Sequence, residues 1–168
     1  SLLLTLIDEA PELLSGNPSY DSRANFMLTA TMGLNGFISM GVDEDWATHM
    51  IGHELTALCG LDHGETLAIV HPGVMDIMRK EKRGKLLQYA RRVWNITIEN
   101  EEQAIDEAIE RTENFFRSIG KKTRLSEYGI GDDVIETIVE RFKQRGWNVG
   151  EYGIVTPEKT RLILERVK

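Results

Sequence analysis

Hydrophobic positions recur at three- and four-residue intervals along most of the chain, and glycines and prolines break the pattern into a series of predicted helices. Between residues 2 and 14, Leu3, Leu6, Ile7, Ala10 and Leu14 share one side, and Gly16-Asn17-Pro18 interrupts them. Asn17 is the expected N-cap of a second helix with Pro18 at its first position. Ala24, Met27, Leu28, Thr31, Leu34 and Ile38 then form a stripe that predicts a core-facing helix to about Met40. Trp46 to Leu58 carries apolar residues at the same interval and stops at Gly60, a residue suited to the left-handed conformation that closes a helix. Gly64 to Val70 is again apolar and helical, and Pro72-Gly73 is expected to kink or end it. Val74 to Arg83 and Leu86 to Trp94 follow, divided by Gly84. Ile105, Ala108, Ile109, Thr112, Phe116 and Ile119 mark the inner face of a helix over 101–119 with an acidic start, ended by Gly120. Asp132 to Arg145 repeats the pattern, and Thr156-Pro157 opens a last helix through Val167.

No segment alternates as a strand does, and no fixed period marks a solenoid. The expected fold is therefore all-α: seven to nine helices in an array joined by short loops, forming a single domain over residues 1–168. A length of 168 residues with 41% hydrophobic composition suffices for one such core.

Charge narrows the partners. A net charge of −7 argues against nucleic acid or an anionic membrane, both of which require clustered positive charge. The basic run Arg79 to Lys85 is short, interrupted by Glu81 and Gly84, and reads as a solvated helix end. The single cysteine, Cys59, excludes an internal disulfide and fits a reducing compartment, so a cytoplasmic location is expected. No apolar run has the length of a membrane span, and the first residues lack the basic start and cleavage pattern of a signal peptide. The abrupt opening Ser-Leu-Leu-Leu-Thr-Leu-Ile suggests a segment of a longer protein.

Three of the four histidines fall within fifteen positions: His49, His53 and His63. On a helix His49 and His53 are one turn apart and share a face, and His63 follows a short Gly-Leu-Asp turn that brings it back toward them. Three converging imidazoles suit a borderline metal such as Zn or Fe, or a metal with a spare histidine for proton transfer. The same spacing is also compatible with three packed, metal-free histidines. The string His53-Glu54-Leu-Thr-Ala57 opens like the zinc-protease motif but has Ala57 where its second histidine belongs, so that chemistry is excluded. Asp45 lies eight residues before His53, about 12 Å along a helix. Asp43 or Asp45 therefore reads as a cap or first-turn carboxylate. His71, just before Pro72, reads as a partly exposed histidine that is not a ligand.

The pattern His49-x3-His53-Glu54-Leu-x-Ala57-x5-His63-Gly64, continued by Leu67-Ala68-Ile69-Val70 and Pro72, resembles the signature of the iron-containing alcohol dehydrogenase family, in its butanol dehydrogenase and NADPH-dependent aldehyde reductase branch. The likeness extends upstream through Tyr20-Asp21-x-Arg23-Ala24-Asn25 and Leu34-Asn35-Gly36. Downstream it continues through Leu86-x2-Tyr89-Ala90-x2-Val93-Trp94 and Leu125-Ser126-x-Tyr128-Gly129-Ile130, and so covers nearly the whole chain. The resemblance implies that His49 and His63 are metal ligands and that His53 lies beside metal and cofactor and serves proton and hydride transfer. Spacing alone would favour the pair His49 and His53.

The resemblance also implies an N-terminal α/β domain for NAD(P) and two further ligands on an upstream D-x-x-x-H helix. Neither is within this chain, whose nearest approach to a dinucleotide turn, Gly129-Ile-Gly131, lacks the third glycine and the preceding strand. The expectation is the helical metal domain of an oxidoreductase that interconverts alcohols and aldehydes with a divalent metal, Fe or Zn, and NAD(P). Its expected partners are a small alcohol or aldehyde, the absent cofactor domain and a second copy in a homodimer. The alternatives are a free-standing helical metal-binding protein and a purely structural helical domain.

Overall fold

The computed structural model describes all 168 residues and is helical throughout. Eight α-helices follow in order: α1 (Leu2–Leu13), α2 (Tyr20–Leu34), α3 (Ala47–Cys59), α4 (His63–Ile77), α5 (Arg83–Arg92), α6 (Glu101–Ser118), α7 (Asp132–Arg145) and α8 (Pro157–Arg166). Two 3-10 turns, Leu125–Tyr128 and Glu151–Gly153, lie on either side of α7. The only strand-like pairing is an isolated antiparallel bridge between Val149 and Val155. No helix is long and apolar enough to cross a membrane. The chain forms two compact units, Ser1–Asp43 and Glu44–Lys168.

The first unit is the pair α1 and α2. Their contact is largely polar: Ser22 and Asn25 on α2 donate to the Glu9 carboxylate on α1, and the Ser19 amide donates to Glu12 at 3.0 Å. Ser19 caps α2 by accepting from the Ser22 amide, so the helix starts two residues later than the Asn17-Pro18 pair predicts. α2 also ends at Leu34 and does not reach Met40. Only Ser22 and Thr29 of α2 are buried, and the stripe expected in the core is on the surface, with Met27 and Leu28 64% and Leu34 77% exposed. The physical reason is size, since two helices alone cannot enclose a core.

The second unit has two apolar clusters. The larger joins Ala47, Ile51 and Leu55 of α3 to Ile69, Val70 and Val74 of α4, Ile135, Ile138 and Phe142 of α7, and Ile163 and Leu164 of α8. The smaller joins Met75 of α4 to Leu86, Leu87 and Ala90 of α5 and Ala104, Ile105, Ala108 and Ile109 of α6. α4 contributes to both clusters and packs against α3, α6 and α8.

Pro72 does not end α4; the helix runs through it to Ile77. An interior proline costs about 3 kcal/mol. Each buried large apolar side chain returns roughly 1.5–3 kcal/mol, and Ile69, Val70, Val74 and Met75 are all buried on this helix. Gly84 likewise does not divide two helices: it lies in the first turn of α5, and the break falls at residues 78–82. Gly60 closes α3 in the left-handed conformation, Thr156 caps α8, and α7 spans Asp132–Arg145 as the pattern predicts.

Candidate metal centre

α3 buries Ala47, Ile51 and Leu55 and turns another face outward, and that face carries His49 and His53. The Asp45 carboxylate accepts the Ala47 amide at 2.8 Å from the residue before the N-cap, Trp46, so it ties down the start of the helix without being its N-cap or a first-turn residue as the sequence predicts. Asp45 is also paired to Lys82 at 2.6 Å, and Lys82 reaches Glu151 at 3.0 Å. Burial pushes the Asp45 carboxyl up, but the Lys82 and Ala47 hydrogen bonds outweigh it and hold the group below its ordinary value. Lys82 is held above its ordinary value, because its two carboxylates outweigh the burial that lowers it.

Gly60 reverses the chain after α3, and His63 is the first residue of α4, with Asp62 as its N-cap. The turn thus sets the start of α4 beside the exposed face of α3. The ring centroids are 5.2 Å apart for His49 and His63, 5.6 Å for His53 and His63, and 6.4 Å for His49 and His53. His49 is half-buried, while His53 and His63 are exposed. The Trp46 indole meets the His49 ring edge-on with centroids 4.7 Å apart, and its N–H donates to Glu44 at 3.3 Å. Burial, then the neighbouring imidazoles of His63 and His53, push the His49 pKa down, toward the neutral form that binds metals.

These distances test whether the donors suit a shared ion. Two imidazoles bound at about 2.0–2.1 Å to one tetrahedral ion have their ring centroids about 5 Å apart, and about 6.4 Å only when they stand on opposite sides of it. His49–His63 at 5.2 Å and His53–His63 at 5.6 Å both lie in the range that two ligands of one ion span, whereas His49 and His53 at 6.4 Å would need a linear arrangement. His63 is the member common to both, and the ring separations do not choose between His49 and His53 as its partner. No set of three or more His, Cys, Asp or Glu side chains stands close enough to hold a metal ion. Cys59 is half-buried, and burial followed by the nearby Asp133 charge pushes its thiol up, away from the thiolate a metal needs.

His71 is half-buried on α4, with Nδ1 3.4 Å from the Thr48 hydroxyl. Burial lowers its pKa, and the Asp45 charge partly offsets that. Sequence reading leaves three contacts of the surrounding structure unnoticed: the Thr48–His71 link, the Lys82 clamp on Asp45, and the close approach of Gly52 to Thr66. Only the last has a local signal, because a glycine inside a helix is costly and often marks a neighbour too close for a side chain.

The sequence profile of the Fe-containing alcohol dehydrogenase family, C-terminal part, matches residues 1–166. The chain belongs to this family. It is 48% identical to the NADPH-dependent aldehyde reductase YqhD of Escherichia coli over 99% of its own length and 43% of the relative's. The solved substrate- and cofactor-free form of that reductase superposes with a TM-score of 0.95 at 47% identity, over 99% of this chain and 44% of the other. A solved NADH-dependent butanol dehydrogenase A from Thermotoga maritima gives a TM-score of 0.89 at 28% identity, again over 99% and 44%. The all-helical expectation and the resemblance to this family both hold. The chain spans under half the length of these iron-containing dehydrogenase relatives.

Proposed function

We propose that this chain is the helical metal domain of an NAD(P)-linked alcohol dehydrogenase or aldehyde reductase acting on small alcohols and aldehydes. The observation that carries the reading is the His49–His63 separation of 5.2 Å, with His53 beside both, in a chain 48% identical to an NADPH-dependent aldehyde reductase. His49 and His63 hold a divalent ion, iron or zinc, as two of about four ligands. The chemistry supplied by the bound groups is Lewis-acid polarisation of a carbonyl oxygen by the ion and hydride delivery by the nicotinamide. His53, exposed and one helical turn from His49, gives a proton to the alkoxide oxygen in reduction and takes it back in oxidation. The Trp46 indole, 41% exposed, stands edge-on beside the His49 ring and borders that side of the pair.

The remaining ligands and the cofactor site are assigned to the part of the relatives this chain does not span. NADP is the favoured cofactor because the reductase aligned at 48% identity is NADPH-dependent. The reading extends to a cytoplasmic homodimer, supported by a single cysteine in 168 residues and by the exposed apolar surface of α2.

Substitution in the full-length protein tests it. His49→Ala and His63→Ala should each abolish metal retention and turnover together. His53→Ala should lower turnover by about 10²–10⁴-fold with metal largely kept. Loss of metal from His53→Ala as complete as from the other two would make the adjacent pair the ligands.

A further inference from the structure

Gly52 of α3 faces Thr66 of α4, and both are buried. A Cβ on Gly52 would stand 2.8 Å from the Thr66 hydroxyl oxygen, 3.3 Å from its Cβ and 3.6 Å from Leu67 Cδ2. Thr66 has no room to yield, because it is 0% exposed and its hydroxyl donates to the His63 carbonyl at 2.8 Å. The Thr66 amide in turn donates to the Asp62 carbonyl at 3.1 Å, so both polar groups of this residue tie down the first turn of α4. The registers match: Gly52 is three residues after His49, and Thr66 is three residues after His63. Each is one helical turn from the histidine its own helix contributes. A point where α3 and α4 stand too close for a side chain thus lies one turn beneath the His49–His63 pair on both helices.

We propose that the Gly52–Thr66 contact is the spacer that fixes the separation of His49 and His63, which makes both positioning residues for the metal pair. The inference rests on the reading of those two histidines as ligands. Gly52 brings the helices close enough for two imidazoles to reach one ion, and the Thr66 hydroxyl locks the backbone of His63 at that distance. An interior glycine costs about 1 kcal/mol of helix stability relative to alanine, and the spacer role explains why the helix keeps it. Adding a methyl group at Gly52 pushes α4 outward and opens the pair from the 5.2 Å that suits a tetrahedral ion.

The test uses the full-length protein stripped of metal and titrated with cobalt(II) against a competing chelator, with the ligand-field spectrum as a second readout. Gly52→Ala should weaken cobalt(II) binding about 10- to 100-fold, the range found for groups that orient metal ligands, and should shift the cobalt bands. In the double variant Gly52→Ala/Thr66→Ala the hydroxyl that collides is gone, and affinity should return to within about threefold of Thr66→Ala alone. Gly73→Ala controls for simple loss of packing, since a Cβ there meets Ile163 of α8 at 2.8 Å, away from the pair; it should lower stability and leave cobalt(II) affinity within about twofold. If Gly52→Ala does not fold, Thr66→Val carries the test: it keeps the bulk, loses the tie to His63, and should still weaken cobalt(II). Full affinity in Gly52→Ala or in Thr66→Val, or an equal loss in Gly73→Ala, overturns the spacer. His49→Ala is run alongside: cobalt(II) held as tightly by that variant overturns the ligand reading itself, whatever Gly52 does.

Discussion

Glu54 follows His53 directly yet points into the protein, where it is 6% exposed. Its two oxygens accept from Arg141, at 2.8 Å, and from Arg145, both on α7. The Arg145 guanidinium also lies 4.6 Å over the Trp147 ring. Burial alone would raise the Glu54 carboxyl, but the two arginines outweigh it and hold it below 4.5. Glu54→Gln should therefore cost about 1–3 kcal/mol, since it leaves both guanidiniums half-paired at a site that solvent only partly screens. The shift in denaturant midpoint measures it. Because the folded value is depressed, this contribution is complete above about pH 4.5 and disappears as pH falls through the folded value. The parent should thus lose more stability than Glu54→Gln on acidification below pH 4.5, and parallel acid profiles would remove the ion pair from the account. The string His53-Glu54 is conspicuous in the sequence, but its partners are 87 and 91 residues away, and nothing local selects those two arginines.

At the level of elements, helices whose boundaries rest on local chemistry are legible from sequence. Gly60, Thr156-Pro157 and the acidic start of α7 all mark ends that the structure keeps. Elements decided by tertiary packing are not. Pro72 reads as a break, yet α4 continues because its neighbours on α3, α6 and α8 bury it on several sides. Gly73 shows how closely: an added Cβ would meet the Ile163 carbonyl oxygen and the Val167 Cγ1, both at 2.8 Å. A carbonyl inside a helix cannot swing aside as a side chain does. Gly73→Ala should destabilise by about 1–3 kcal/mol, as overpacked cores do, and urea unfolding reads it. A neutral or stabilising result would mean that α8 moves freely against α4. The histidine turn is the reverse case: the sequence places His49, His53 and His63 together, the structure sets their ring centroids 5.2–6.4 Å apart, and the 6.4 Å between His49 and His53 disfavours the adjacent pair that spacing alone would choose.

For the molecule as a whole, the two compact units differ in how far each encloses its own apolar surface. The unit from Glu44 to Lys168 holds every residue of both core clusters. The unit from Ser1 to Asp43 leaves Met27, Leu28, Leu34, Phe37, Ile38 and Met40 exposed, more than half of each side chain's surface. A stripe of this kind reads from sequence as the inner face of a helix, and the pattern cannot say which surface it is inner to. Exposed apolar patches of several hundred Å² drive association in water, and a net charge of −7 spread over 168 residues opposes it only weakly at physiological salt. The 168-residue chain on its own should therefore self-associate with increasing concentration in sedimentation velocity. Met27→Gln/Leu28→Gln/Leu34→Gln should shift it toward monomer while the far-ultraviolet helical signal persists. Zinc titrated into the same chain by calorimetry should bind weakly, because two histidines supply half of a usual ligand set. A parent chain that stays monomeric at all concentrations would show that the stripe is too small or too mobile to drive contact. Tight stoichiometric zinc would show that a third donor swings into place within these residues.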